Sequence, residues 1–279
     1  MDHAEPATLE ADGHVRIDGA LDPAFCEQVV AEACAAAGFD ADDRSTWPDR
    51  VTHLPVTTSW SFEDVAPAVV PTLERLVGPA DGVRYAGIQD NLIANPPAPP
   101  DRWWDVTPGT VDRAGWHKDG DWFRHYLDSP EQALLVIVFW RDVEADQGPT
   151  WVAVDSIGPV ARLLAEHPEG LDPADLAEPC TRIVAASRDL RPLTGRQGDV
   201  VLAHPFMLHT ATPNRTDRLR LIANSSVMLR EPIALDPPTT GVGRATAAAL
   251  GVDRVAFTAT GERRKVESER ERRWRDARS

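Results

Sequence analysis

The sequence predicts a mainly β fold with flanking helices, and three observations carry that expectation. Apolar stretches read as strands, Val83 to Asn95, Ala133 to Trp140, Val200 to Phe206 and Leu219 to Leu229, dominate the part of the chain beyond Val83. Helical signals come first, with one further helix read later as an insertion. A His-x-Asp pair and a distant single His fall beside two of the apolar runs, as a metal site carried by strands requires. With 279 residues, 42% of them hydrophobic, the chain can bury one full core. A single domain over residues 1–260, followed by a charged tail over 261–279, is the economical division.

Taken in order, His14 to Asp18 alternates like a short strand. Asp22-Pro23 then opens a capped helix whose apolar period runs to Ala37 and Gly38. Glu63 to Val77 reads as further helix, interrupted or restarted at Pro67 and Pro71, where the ring removes a donor. Val83 to Asn95 reads as one strand with Gln89, Asn91, Ile93 and Asn95 on a common face. Pro96-Pro97-Ala98-Pro99-Pro100 cannot sustain a central strand and opens a loop of about 15 residues, long enough for a lid. Asp155 is placed to cap a helix from Ser156 to Glu166 that ends near His167-Pro168-Glu169-Gly170 and covers the sheet or the pocket. From Gly261 to Ser279 the chain is dense in Arg and Glu with few apolar residues, as in a solvated helix or a disordered tail.

The chemistry concentrates in Gly115-Trp116-His117-Lys118-Asp119-Gly120. In an extended segment alternate side chains share a face, so His117 and Asp119 point together and Lys118 points away. His209, 90 residues after Asp119, completes two imidazoles and one carboxylate. Such a facial triad suits non-haem Fe(II), since the opposite coordination positions stay open for co-substrate and oxygen. The alternative for the first pair is a surface loop holding a hydrogen-bonded His.

The second stretch begins at the Gly198-Asp199 turn and continues through Val200-Val201-Leu202-Ala203 to Phe206, Leu208 and His209. Pro213-Asn214-Arg215-Thr216-Asp217 reads as a reversal before a strand from Leu219 to Leu229. Antiparallel pairing about Arg215 would set Arg220 opposite His209. Arg218, Arg220, Ile222 and Asn224 share one face of that strand. A buried Arg requires an anion and its fork matches a carboxylate, which suits Arg220 to a dicarboxylate; Arg218, nearer the turn, meets water. The competing reading of Arg220 is a structural ion pair.

On these residues the chain resembles the phytanoyl-CoA dioxygenase family of Fe(II)/2-oxoglutarate oxygenases, from about Gly13 to Leu229. The family pattern of His-x-Asp, a distal His and an Arg eleven residues later is met by His117, Asp119, His209 and Arg220. The resemblance implies a double-stranded β-helix (a jelly roll of cupin type), Fe(II) on the two His and Asp, and 2-oxoglutarate held by Arg220. Gln89 falls where many members carry a strand Gln that touches 2-oxoglutarate, and Gly148-Pro149-Thr150 resembles the family turn that brings Thr150 to the co-substrate. Two positions depart from the pattern: Ala211 stands where many members have Ser, and Asp155-Ser156-Ile157 replaces a common Gly-Ser-His. One co-substrate contact therefore differs or is absent. The implied reaction consumes O2 and 2-oxoglutarate, releases succinate and CO2, and oxidises a small-molecule metabolite. Hydroxylation is the expected outcome, with desaturation, ring formation and epimerisation open to the same oxidant. Because Asp119 fills the carboxylate position, no halide site is freed and a halogenase is not expected.

Trp122 and His125 follow the ligands closely and are candidates for the substrate pocket, as are Trp103 and Trp104; packing of the loop onto the body is the alternative for the Trp residues, and surface placement for His125. His204 reads as a packed, hydrogen-bonded residue. A formal net charge of −15 and a pI near 4.9 argue against a nucleic-acid partner. Cys26, Cys34 and Cys180 form no disulfide spacing, no signal-peptide pattern opens the chain and no apolar run spans a membrane, so a cytoplasmic protein is expected. Nothing in the sequence specifies an oligomeric state. Two other classes compete: a non-catalytic metal-binding or ligand-sensing jelly roll, which would bind Fe(II) but not 2-oxoglutarate, and a cupin-like hydrolase or isomerase, against which the single carboxylate and buried Arg argue.

Overall fold

The computed structural model describes residues 4–107 and 115–268. Its core is the expected double-stranded β-helix, built from antiparallel strands in a large and a small sheet. The large sheet runs β1 (His14–Ile17), β10 (Val200–Ala203), β7 (Leu134–Phe139), β12 (Arg220–Leu229), β6 (Ile93–Asn95) and β2 (Thr52–His53), with β4 (Val83–Tyr85) also paired to β12. The small sheet runs β11 (Leu208–Ala211), β8 (Thr150–Ala153), β9 (Leu190–Leu193). A third ladder joins β3 (Ser59–Ser61) to β5 (Gly87–Gln89). Every residue of β7 is buried, which is why Leu134 to Phe139 is continuously apolar and does not alternate. Each such side chain contributes about 1.5–3 kcal/mol by leaving water.

Helices α1 (Ala4–Asp12) and α2 (Pro23–Ala36) flank the large sheet's first strand in sequence. The Asp22 carboxylate accepts Ala24 N–H at 2.8 Å and Phe25 N–H at 3.3 Å, the cap read from Asp22-Pro23. Residues 62–77 form α3 (Phe62–Val65), a 3-10 turn (Pro67–Val69) and α4 (Val70–Val77), restarting at the two prolines as expected. Helices α5 (Ile157–Glu166) and α6 (Pro173–Ala186) fill the insertion after β8, and α7 (Gly241–Ala249) packs on α1, α4 and α5. The sequence reading did not place α1, α6 or α7, although Asp172 with Asp175 forms a capping box on α6 and Thr240 caps α7. No helix among the described residues is long and apolar enough to cross a membrane.

Several expectations are corrected. Val83 to Asn95 is three strands, because the Asp90 carboxylate accepts Thr57 N–H at 2.7 Å and Thr58 N–H at 2.9 Å and draws the chain toward β3. Gln89 and Asn95 therefore sit in different sheets. The run from Val200 to His209 breaks at residues 204–207, where Met207 N–H closes a turn onto His204 O and Phe206 N–H bonds His204 Nδ1. That break transfers the chain from large sheet to small, so β11 pairs β8, β12 pairs β6 and β7, and the His209–Arg220 hairpin register does not form. Asp155 does not cap α5; it accepts the Ser187 hydroxyl and Arg188 N–H at the end of α6. The proline-rich loop is described as far as residue 107, where Trp103 is 44% exposed and the Arg215 guanidinium lies 5.7 Å from its ring; the rest of the expected lid lies outside the described residues.

The stretch read as a solvated tail is, up to Ser268, laid along the body. Arg124 N–H bonds Arg264 O, Val266 N–H bonds Trp122 O and Tyr126 Oη–H bonds Glu262 O. Arg263 pairs with Asp128, and Arg264 with Asp172. A Cβ on Gly261 would stand 1.9 Å from Glu169 O, so the close approach requires glycine. The remainder of the expected tail lies outside the described residues.

Candidate metal centre

His117 lies in an extended segment that continues the small sheet beyond β11. His117 N–H donates to His209 O at 3.1 Å and His209 N–H to His117 O at 3.0 Å, a reciprocal pair that puts both side chains on one face. The two imidazole centroids are 4.5 Å apart. Asp119, one pleat further, faces the same way, as the alternation predicts, and Gly120 at φ +108° then turns the chain under the Phe123 ring.

Each imidazole is oriented by a carbonyl. His117 Nδ1 is 2.8 Å from Gly115 O and His209 Nδ1 is 3.3 Å from Met207 O, contacts that only an Nδ1–H tautomer satisfies. The Nε2 lone pairs are left to converge on Asp119 Oδ1, at 3.3 Å from His117 and 3.5 Å from His209. The three ligand atoms lie within 4.8 Å of one another, and His209 Nε2 is buried without a hydrogen-bond partner among the described residues. Burial alone would raise the Asp119 carboxyl, but His209 and His117 hold it well below the usual carboxylate range. Against the desolvation of its ring, Asp119 raises the pKa of His117. Two aligned imidazole nitrogens and a carboxylate on one side of a point, with one nitrogen orphaned, fit a divalent iron.

Arg220 opens β12 opposite Asn95 and is 1% exposed. Its Nε and Nη1 are buried with no partner among the described residues, and burial lowers its pKa to about 10. Two pleats along the same strand face, Asn224 Nδ2 contacts Asp119 Oδ2 at 3.4 Å, so this face of β12 looks onto the ligands. A buried guanidinium with two nitrogens unpartnered among the described residues, on that face, fits a carboxylate. Arg218 behaves as expected: half-exposed, it pairs with Glu144 at 2.6 Å.

Thr150 is buried in β8 opposite Ala211, on the face that carries His209. Gln89 is half-buried on β5 opposite Ser59. Trp122 is half-buried with its ring 4.8 Å from Phe123. His125 is buried, its Nδ1 3.0 Å from Lys118 Nζ. Lys118 points away from the ligand face, as read, but into the protein: its Nζ also reaches Gln132 Oε1 at 3.2 Å and Asp119 O at 3.1 Å. Burial lowers its pKa to about 8.

Sequence reasoning assigned no role to Asn224 or to Asn91, whose Nδ2 donates to Asn224 O at 3.0 Å. The one available signal was that Asn224 shares the Arg220 face. The Lys118–Gln132–Ser226 link was likewise not foreseen, because it depends on which segment lies behind the ligands.

The family model described as phytanoyl-CoA dioxygenase (PhyH) matches residues 9–222. Among solved structures, HygX from Streptomyces hygroscopicus with nickel and 2-oxoglutarate bound is 14% identical, with 82% of this chain and 88% of that chain covered and a TM-score of 0.48. The epimerase SnoN and the carbocyclase SnoK, both described as non-heme α-ketoglutarate-dependent enzymes of nogalamycin biosynthesis, are 16% and 14% identical. SnoN covers 81% of each chain at a TM-score of 0.46, and SnoK covers 84% of this chain and 86% of its own at 0.46. A search of curated proteins returned no match.

Proposed function

We propose that this chain, which belongs to the phytanoyl-CoA dioxygenase family, hydroxylates a small-molecule metabolite at the centre formed by His117, Asp119 and His209. It is a 2-oxoglutarate-dependent oxygenase with Fe(II) as its metal. The buried guanidinium of Arg220, its Nε and Nη1 unpartnered among the described residues, on the strand face that touches Asp119 through Asn224, supports the assignment of the co-substrate position.

In this reading His117, Asp119 and His209 hold the metal, with Gly115 O and Met207 O fixing the imidazole tautomers. Fe(II) and 2-oxoglutarate together supply oxygen activation coupled to decarboxylation, so that one oxygen atom enters the substrate C–H bond and the other enters succinate, with loss of CO2. Arg220 grips the far carboxylate in a site dry enough for that pair to be strong, and Thr150 and Gln89 are the further co-substrate contacts. Trp122 and His125 are the proposed substrate-side residues. Asp119 occupies the carboxylate position, which argues against halide transfer. A single oxygenase domain over 1–260 is the matching organisation, and three free, buried cysteines suit the reducing cytoplasm.

Anaerobic addition of Fe(II) and 2-oxoglutarate to the apo-protein should give a weak visible charge-transfer band. The band should vanish in His209→Ala and require at least about tenfold more 2-oxoglutarate in Arg220→Ala, the loss of one charge-assisted fork. Iron binding without any band would remove the oxygenase reading and leave a metal-binding or ligand-sensing protein.

A further inference from the structure

We infer that Asn224 is a positioning residue that holds Asp119 to the metal through one oxygen only, keeping a coordination position open for O2. The inference deepens the function proposed above and rests on it.

The two carboxylate oxygens of Asp119 face different partners. Oδ1 is the atom on which both His117 Nε2 and His209 Nε2 converge, at 3.3 and 3.5 Å. Oδ2 is turned toward β12, where Asn224 Nδ2 donates to it at 3.4 Å. The orientation of that amide is fixed by chemistry: its carbonyl oxygen, buried and without a partner among the described residues, would repel the carboxylate if the group were rotated. Asn224 is itself held from two sides. Its backbone pairs with Ile137 in the middle of the large sheet, and its carbonyl accepts Asn91 Nδ2 at 3.0 Å. Behind the ligand segment, Lys118 Nζ binds Asp119 O, and Lys118 and Gln132 continue to Ser226 Oγ, two residues along β12 on the Asn224 face. Backbone and side chain of Asp119 are thus both referred to one strand of the large sheet.

A carboxylate can take one or two sites on a divalent metal. A metal held by the two imidazoles that is also to take a 2-oxo acid and O2 would have room for only one oxygen of Asp119. A hydrogen bond to Oδ2 favours the one-oxygen mode by making the second oxygen an acceptor for the protein.

The test uses Mn(II) as a stable probe, measuring its dissociation constant in the full chain without 2-oxoglutarate, together with thermal melting. Asn224→Ala, and the near-isosteric Asn224→Leu should the smaller residue fail to fold, ought to melt like the wild type while altering Mn(II) affinity by about 10- to 100-fold. The same variants should shift the charge-transfer band of the anaerobic Fe(II)–2-oxoglutarate complex, a change that a merely structural role would not produce. Wild-type affinity and an unshifted band in a folded variant would overturn the inference while leaving the proposed function intact. Failure of the wild type itself to bind Mn(II) or Fe(II) would overturn both.

Discussion

Arg220 carries its charge into the interior with Nε and Nη1 unpartnered among the described residues, a costly arrangement in the absence of an anion. Replacing it with Met should therefore leave the apo-protein as stable or make it more stable by about 1–3 kcal/mol, measured by urea unfolding. The same change should reduce the thermal stabilisation that a fixed concentration of 2-oxoglutarate gives the wild type. A large loss of apo stability would mean that the guanidinium has a structural anion instead. At this scale the sequence was most informative where side-chain chemistry is scarce and particular. Two imidazoles and a carboxylate in the right order suffice to suggest a metal, and a strand Arg close after the second imidazole suggests its anion. Asn224 was invisible for the opposite reason: a strand Asn has many ordinary uses, and its role depends on a contact with a residue 105 positions away.

The break between β10 and β11 is the element that moves His209 onto the small sheet, and His204 secures it. His204 Nδ1 accepts Phe206 N–H at 3.2 Å, and Nε2 lies 3.2 Å from Thr246 Oγ1, so the ring is neutral with its proton on Nε2. Burial pushes its pKa down to about 3 from 6.5. The folded value lies below the unfolded one, so its contribution is complete above about pH 6.5 and is lost progressively as pH falls toward about 3, by at most about 1.4 kcal/mol per pH unit. His204→Asn should be less stable near neutrality yet lose less stability than the wild type on acidification across that window, in denaturant titrations. Gly148 guards the neighbouring turn at φ +64°, where a Cβ would stand 2.6 Å from Asn95 Nδ2 and 2.8 Å from Thr212 O. Gly148→Ala should cost about 1–3 kcal/mol. These elements also mark where pattern reading stopped. Strand character at 200–209 and 219–229 was legible from the apolar residues, but partner choice was not: a short loop argued for a hairpin, and the turn at His204 through Met207 instead sent β11 to the other sheet.

Across the whole molecule, the candidate metal centre lies between two sheets, and the far end of the described chain braces the segment that follows Asp119. Truncation after Thr260 removes one of the two acceptors of Tyr126 Oη–H, the Arg263 partner of Asp128 and one of the partners of Asp172, and two backbone bonds to residues 122 and 124. Hydrogen exchange at Arg124 N–H should accelerate by at least about tenfold, equivalent to about 1.4 kcal/mol, while the amides of β7 keep their protection. Charge density in the tail concealed this role, since Arg and Glu read as solvated unless their partners, Asp128 and Asp172, are known to be beside them. The pairing of His117 with His209 has one more consequence. It closes a stretch of some 90 residues through two backbone bonds, between segments set in a buried apolar core. During synthesis the centre cannot exist until the chain has been made past β11.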